Sequence, residues 1–239
     1  MSTLVWTPPQ GPATRPEYPG WQSAKYVPLP IIEYYAEETL RLFAQRCGGS
    51  VTFPVDAERL AREVLGLDIY YDDGTIMDEM ESGLLGCLFA DGMPCPATGR
   101  DRVIMVNDGP RYRGVTAAFT ILHEGGHWLL HVPQDAVAEE PLSYCRAEEL
   151  LPSWSKVPPR EWQASRLAAE VLMPREMVCR ILDGREPEGE VINLEIYGRI
   201  FREFFGVSQE AMEKRLSDLK YRYAFGRYPY ANLAKATSS

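Results

Sequence analysis

Apolar positions along this chain keep a helical period at both ends and a strand period between them. From Ile31 to Cys47 they recur at helical spacing, and Gly48-Gly49 stops the run. Pro54 and Asp56 introduce a second helix, Ala57 to Leu65, with Asp56 as N-cap and Gly66 as its stop. Leu67-Asp-Ile-Tyr-Tyr71 has strand composition and is closed by the turn Asp72-Asp73-Gly74. Leu84 to Phe89 and Arg102 to Val106 read as two further strands. The turn-rich link between them makes antiparallel pairing the simplest arrangement. Asn107-Asp-Gly-Pro110 then ends the sheet and leads into an apolar helix that runs past Trp128.

Residues 132–158 read as a loop broken by Pro133, Pro141, Pro152 and Pro158. Helical period returns from Glu161 to Leu172, and after Pro174 a short helix runs to about Leu182. Leu194 to Phe205 and Gln209 to Tyr221 form a helical pair joined by Gly206-Val-Ser208, with Ser208 as an N-cap. The pair has helix-turn-helix proportions. Its second helix, however, sets Glu210, Glu213 and Asp218 against Lys214, Arg215 and Lys220, a poor match for phosphates. At the N-terminus, Pro8, Pro9, Pro12, Pro16, Pro19, Pro28 and Pro30 favour an extended arm. Trp6, Tyr18, Trp21 and Tyr26 in that arm predict that part of it packs on the domain. The expected organisation is a proline-rich arm (1–30), a main domain (31–183), a helical subdomain (184–223) and a polar tail (224–239).

Composition narrows the class. A chain of 239 residues with 45% hydrophobic content can bury a proper core. A net charge of −9 argues against a broad nucleic-acid surface or a polybasic membrane face. The cysteines, Cys47, Cys87, Cys95, Cys145 and Cys179, are odd in number and form no Cys-x-x-Cys pair, which suits reduced thiols in a cytoplasm. No signal peptide or membrane-length apolar run is read, so a cytoplasmic protein is expected.

The chemistry concentrates in Thr120 to His131, which carries all 3 histidines, His123, His127 and His131, each four apart. His123, Glu124 and His127 make the pattern His-Glu-x-x-His. On a helix that spacing stacks two imidazoles on one face, where both can ligate one metal ion, with the glutamate placed to take a proton from water. Gly125 and Gly126 lie in mid-helix, where each costs about 1 kcal/mol relative to alanine, so another backbone is expected to approach closely there. Glu161 heads a stripe of Ala164, Ser165, Ala168 and Leu172 on the later helix and can supply a third ligand, giving a two-histidine, one-glutamate zinc site. A bland reading of Glu161 stands beside this one: an acid in a first helical turn is favourable without any metal. Glu170 points to the opposite face and is expected to be solvated. His131 is read as structural or as a support for a ligand, because the position six residues after His127 is Pro133 and not a histidine.

These stretches resemble the ImmA/IrrE family of zinc metallopeptidases. The resemblance rests on Phe119 to His131, on Glu161 with Ala164-Ser-Arg-Leu-Ala-Ala-Glu-Val-Leu-Met-Pro174, and on Phe205-Gly-Val-Ser-Gln-Glu-Ala-Met-Glu-Lys-Arg-Leu216. It implies an α+β fold: a zincin-like core with a small antiparallel or mixed three-stranded sheet packed on helices, plus the C-terminal helical pair. It also implies Zn²⁺ held by His123, His127 and Glu161, Glu124 as catalytic acid–base, and a repressor-type helix-turn-helix protein as substrate. Ser165 departs from the asparagine often found in the family. Tyr112, Tyr144 and Arg146 are candidate oxyanion donors, and the strand Arg102 to Val106 is a candidate edge for substrate. Two other readings remain. A deformylase-like hydrolase would take Cys87 as third ligand, and a binding module would capture a repressor without cutting it.

Overall fold

A computed structural model describes residues 5–8, 27–80, 83–109, 116–132, 143–146, 157–183 and 194–224. Helix α1, Leu29–Arg46, buries Ile31, Ile32, Ala36, Leu40, Phe43 and Ala44, the stripe that its period predicts. It stops at Gly48 and Gly49, both at positive φ, and the Gly49 N–H donates back to the Ala44 carbonyl. Helix α2, Ala57–Leu60, starts where Asp56 accepts from the Arg59 N–H at 3.0 Å, and it continues as a π-helical turn, Ala61–Leu65. Of the N-terminal arm, Val5–Trp6 (β1) pairs antiparallel with Val51–Thr52 (β2), and Trp6 is buried. The expectation that part of the arm packs on the domain holds for this piece.

The main sheet comprises β3 (Asp68–Asp72), β4 (Leu84–Phe89), β5 (Val103–Asn107) and β6 (Ser143–Arg146), in the order β3-β5-β4-β6. Strands β3 and β5 are parallel, and β4 is antiparallel to both β5 and β6. The sheet is therefore mixed, as one of the two expected forms, but it has four strands and not three. Ser143–Arg146 supplies the extra strand from a stretch whose prolines and charges read as loop. A short helix, α3 (Thr75–Met80), is a further element without a period in the sequence. Its first turn is held by the buried Asp72 carboxylate, which accepts from the N–H groups of Gly74, Ile76 and Met77. Strand β5 lies between β3 and β4, so Arg102 to Val106 offers no edge to a substrate.

Both faces of β4 and β5 are buried. One face, with Leu88, Ile104 and Val106, joins the large core around α4 (Thr116–Leu130). The other packs Cys87, Phe89, Met105 and Val103 with Met77 and Cys95. Helix α4 packs most closely on α5 (Pro159–Leu172), which α1 supports from behind. Helices α6 (Arg175–Asp183), α7 (Leu194–Phe205) and α8 (Gln209–Ala224) complete the chain. Phe201, Phe205, Met212 and Leu216 of the last pair enter the same large core, and Phe205 meets Phe53 edge-to-face at 5.4 Å. Ser208 caps α8 as expected, accepting from the Ala211 N–H. Glu170 corrects the sequence reading. It is buried against Arg215 and Arg166, because α8 packs over the face of α5 that looked free to solvent. Among the described residues no helix is long and apolar enough to cross a membrane. The tail beyond residue 224 and most of the arm lie outside the described residues.

Candidate metal centre

The helix period brings His123 and His127 to one face of α4, both fully buried, with Glu124 buried beside them. What lets α5 deliver a carboxylate there is the missing side chain at Gly126. A Cβ at that position would lie 2.9 Å from the Cα and the carbonyl oxygen of Ala164. Gly125 is crowded from another side, where a Cβ would sit 2.8 Å from the Leu65 Cδ1. The close helix crossing expected from the double glycine is present at Gly126.

Three lone-pair atoms converge at this crossing. His123 Nε2 lies 3.1 Å from His127 Nε2, and Glu161 Oε2 lies 3.0 Å from the first and 3.3 Å from the second. Among the described residues these are the grouped side chains that could hold a metal ion. A tetrahedral ion with ligand bonds of about 2.0–2.1 Å has donor–donor edges of about 3.3 Å. The observed triangle is slightly tighter than that, and its donor set of two imidazoles and one carboxylate suits a borderline divalent ion. The residues fit. Burial pushes the Glu161 carboxyl up, but the neighbouring His123 and His127 rings outweigh it and hold the group well below the ordinary carboxylate range. Glu161 is thus kept in the ionised form that ligates.

The outward ring nitrogens are also engaged. His123 Nδ1 lies 3.1 Å from Ser165 Oγ, on the small-residue stripe. His127 Nδ1 lies 3.0 Å from His131 Nδ1, and His131 Nε2 lies 2.8 Å from Gln163 Oε1. If the Nε2 lone pairs of both ligands face inward, each Nδ1 carries the proton. His127 then donates to His131, and His131 donates through Nε2 to Gln163. Burial and the neighbouring His127 push His131 down to about 4, so it is neutral at pH 7 as this chain of donors requires. His131 supports a candidate ligand, as its spacing suggests. Gln163 carries no signal in the sequence; it lies two positions after Glu161 and is fully buried, a combination that burial alone reveals.

Cys87, the alternative third ligand, is buried in the small core on the far face of the sheet, and burial pushes its thiol up. The neighbouring Gly86 faces α4: a Cβ there would collide with Thr120 Cγ2 and lie 3.3 Å from Glu124 Oε1. Strand alternation therefore turns Cys87 away from the histidines. Tyr112 and the side chains of Tyr144 and Arg146 lie outside the described residues.

Two imidazoles and a carboxylate converging beside a buried glutamate form the donor arrangement of a metal-dependent hydrolase. Comparison with known families agrees. Residues 100–217 match the Peptidase_M78 family, described as the IrrE N-terminal-like domain, and the match spans β5, α4, α5 and most of α8. Residues 100–217 carry the domain of this peptidase family. No curated protein matches it.

Proposed function

We propose that this chain is a zinc-dependent endopeptidase that cuts a repressor-type transcription factor. The observation that carries the reading is the convergence of His123 Nε2, His127 Nε2 and Glu161 Oε2 within 3.3 Å of one another, next to buried Glu124. When bound there, zinc would lower the pKa of a water molecule and polarise a carbonyl. Glu124 takes the proton that the attacking water gives up and returns it to the departing amine nitrogen. Ser165, His131 and Gln163 fix the rings so that their Nε2 atoms stay turned inward. The family match supports peptidase chemistry. The repressor as substrate rests on the family resemblance of the motifs.

The test is co-expression with a repressor encoded beside this chain, followed by intact-mass measurement. Wild type is expected to yield two repressor fragments. Glu124→Gln is expected to bind zinc like wild type while its cleavage falls by about 10²–10⁴-fold. Full cleavage by Glu124→Gln would remove Glu124 from the mechanism. An intact repressor co-purifying with both proteins would favour capture without cutting. Zinc retained by Glu161→Gln but lost by Cys87→Ser would favour the deformylase-like arrangement.

A further inference from the structure

Strand β6 lies where a polypeptide substrate has to lie. To be cut, an extended chain must bring a backbone carbonyl to Glu124 and the donor triangle, and it gains most by adding as a strand to a nearby sheet edge. Gly86 is the point of β4 that faces Glu124, as the crowded space above its Cα shows. One side of β4 is taken by β5, which leaves its other edge for a peptide. In the structure Ser143–Arg146 occupies that edge, with Cys145 opposite Gly86 and Tyr144 opposite Cys87, and α4 packs against both β4 and β6. The direction is antiparallel, which a hydrogen-bonded guest strand can equally adopt.

Distance decides whether a substrate would add outside β6 or replace it. Neighbouring strands are about 4.8 Å apart, so a peptide beyond β6 would run about 10 Å from β4. A general base works at about 3 Å, or through one water. The outer edge of β3 is farther still, with β5 between it and β4. Among the described strands, only the edge that β6 holds is within reach. The hold is also weak by the standards of the sheet. β6 has 4 residues, is bonded on one side only among the described strands, and its register with β4 slips between Leu84 and Gly86. A substrate strand would re-form its ladder bonds with β4 like for like, so displacement costs only the difference between the two pairings.

We propose that Ser143–Arg146 is a cis-acting mimic of the substrate, and that a polypeptide binds by displacing it and pairing antiparallel with β4. The proposal rests on the peptidase reading of Glu124 above. It makes the segment between the two ligand-bearing helices a built-in competitor, so that an extended stretch with better pairing than Ser-Tyr-Cys-Arg gains access and weaker ones do not.

The test uses the full chain, with Tyr144→Pro and Cys145→Pro combined so that whichever amide bonds to β4 is lost. In a Glu124→Gln background, a fluorescent peptide spanning residues 140–149 reports on the edge by anisotropy, and hydrogen exchange reports on the β4 amides. Unfolded casein reports on cleavage by the corresponding proteins with Glu124 intact. The proline variant is expected to bind the peptide at least about tenfold more tightly than wild type, the factor set by a docked fraction of about 90% or more. Its β4 amides should exchange faster until peptide is added, and its casein cleavage should rise with the same factor. Should the prolines unfold the domain, Tyr144→Gly with Cys145→Gly loosens the strand while keeping its amides, and the same ordering is expected. Wild type binding the peptide as tightly as the variant would overturn the proposal, as would a variant with open β4 amides that binds no peptide. Tighter peptide binding with no cleavage by any zinc-loaded form would leave the edge assignment standing and overturn the peptidase reading instead.

Discussion

At the scale of single residues, the atoms behind the candidate ligands matter as much as the ligands. An imidazole can ligate through either nitrogen, and the hydrogen bond on the other nitrogen decides which. Here His123 leans on Ser165, while His127 leans on His131, which leans on Gln163. Replacing Gln163 with leucine removes the acceptor that holds the His131 proton on Nε2 and frees that ring to take the other tautomer. His131 Nδ1 could then meet His127 as a donor and no longer accept its proton. Gln163→Leu is therefore expected to weaken zinc binding by about 10–100-fold, with the melting temperature changed far less than the affinity. Competition with a chromogenic chelator measures it. An affinity equal to wild type would show that Gln163 only fills space.

At the scale of elements, the site is a helix crossing, and Gly126 is what sets its depth. An alanine there would gain about 1 kcal/mol in helix propensity, but its methyl would meet the backbone of Ala164, which cannot swing aside as a side chain can. Overpacking of that kind costs about 1–3 kcal/mol and spreads α4 from α5, pulling Glu161 away from the two imidazoles. Among the described residues, Gly125→Ala meets the end of the Leu65 side chain alone, which can rotate. Gly126→Ala is thus expected to lose both stability and zinc affinity, and Gly125→Ala to lose less of each. Thermal melting with and without zinc tests the order, and the reverse order would mean that the crossing at Ala164 has slack. This crossing is legible in the sequence because a double glycine inside a buried helix signals close approach. So are α1, β4, α5 and α7, whose periods are strong, and the triangle of donors, whose residue types are few. Other elements leave no such mark. The Ser143–Arg146 strand is too short and too polar to show a period, and its place depends on the edge of β4. Asp72 reads as a turn residue because its carboxylate caps α3 only once the backbone folds around it. Glu170 reads as solvated because helical period says which residues share a face, and not which faces another helix will cover.

At the scale of the molecule, that buried glutamate ties the C-terminal helices to the site. Helix α5 shows Glu161 and Ser165 to the metal centre, and on its far side Arg166 and Glu170 meet α8. Arg215 makes two contacts with the Glu170 carboxylate and donates to the Met173 carbonyl at 3.0 Å. Arg166 adds ion pairs to Glu170 and to Asp218, and Arg175 ties α6 to Glu33 of α1 at 2.9 Å. Charges this deeply buried are a poor source of net stability, yet removing one partner leaves the others stranded at a cost of about 3–5 kcal/mol. Burial pushes the Glu170 carboxyl up, but Arg215 and Arg166 more than reverse this and hold it at about 2. Because the folded value lies below the ordinary 4.5, the unfolded chain binds the extra proton between the two. The stabilisation is complete above a pH of about 4.5 and disappears as pH falls through about 2. Urea unfolding of the zinc-free protein should therefore show stability dropping with acid across that window, on the order of 3 kcal/mol from this group. In Glu170→Gln the position cannot titrate. That variant should start less stable at pH 7, its acid slope should be shallower across the window, and the two proteins should converge near a pH of about 2. Parallel slopes would place the acid sensitivity elsewhere, and equal stability at pH 7 would mean that α8 holds α5 through its apolar contacts alone. If the slopes differ as expected, the Glu170→Gln variant should also bind zinc more weakly at pH 7, because the same helix that loses its anchor on one side presents Glu161 on the other.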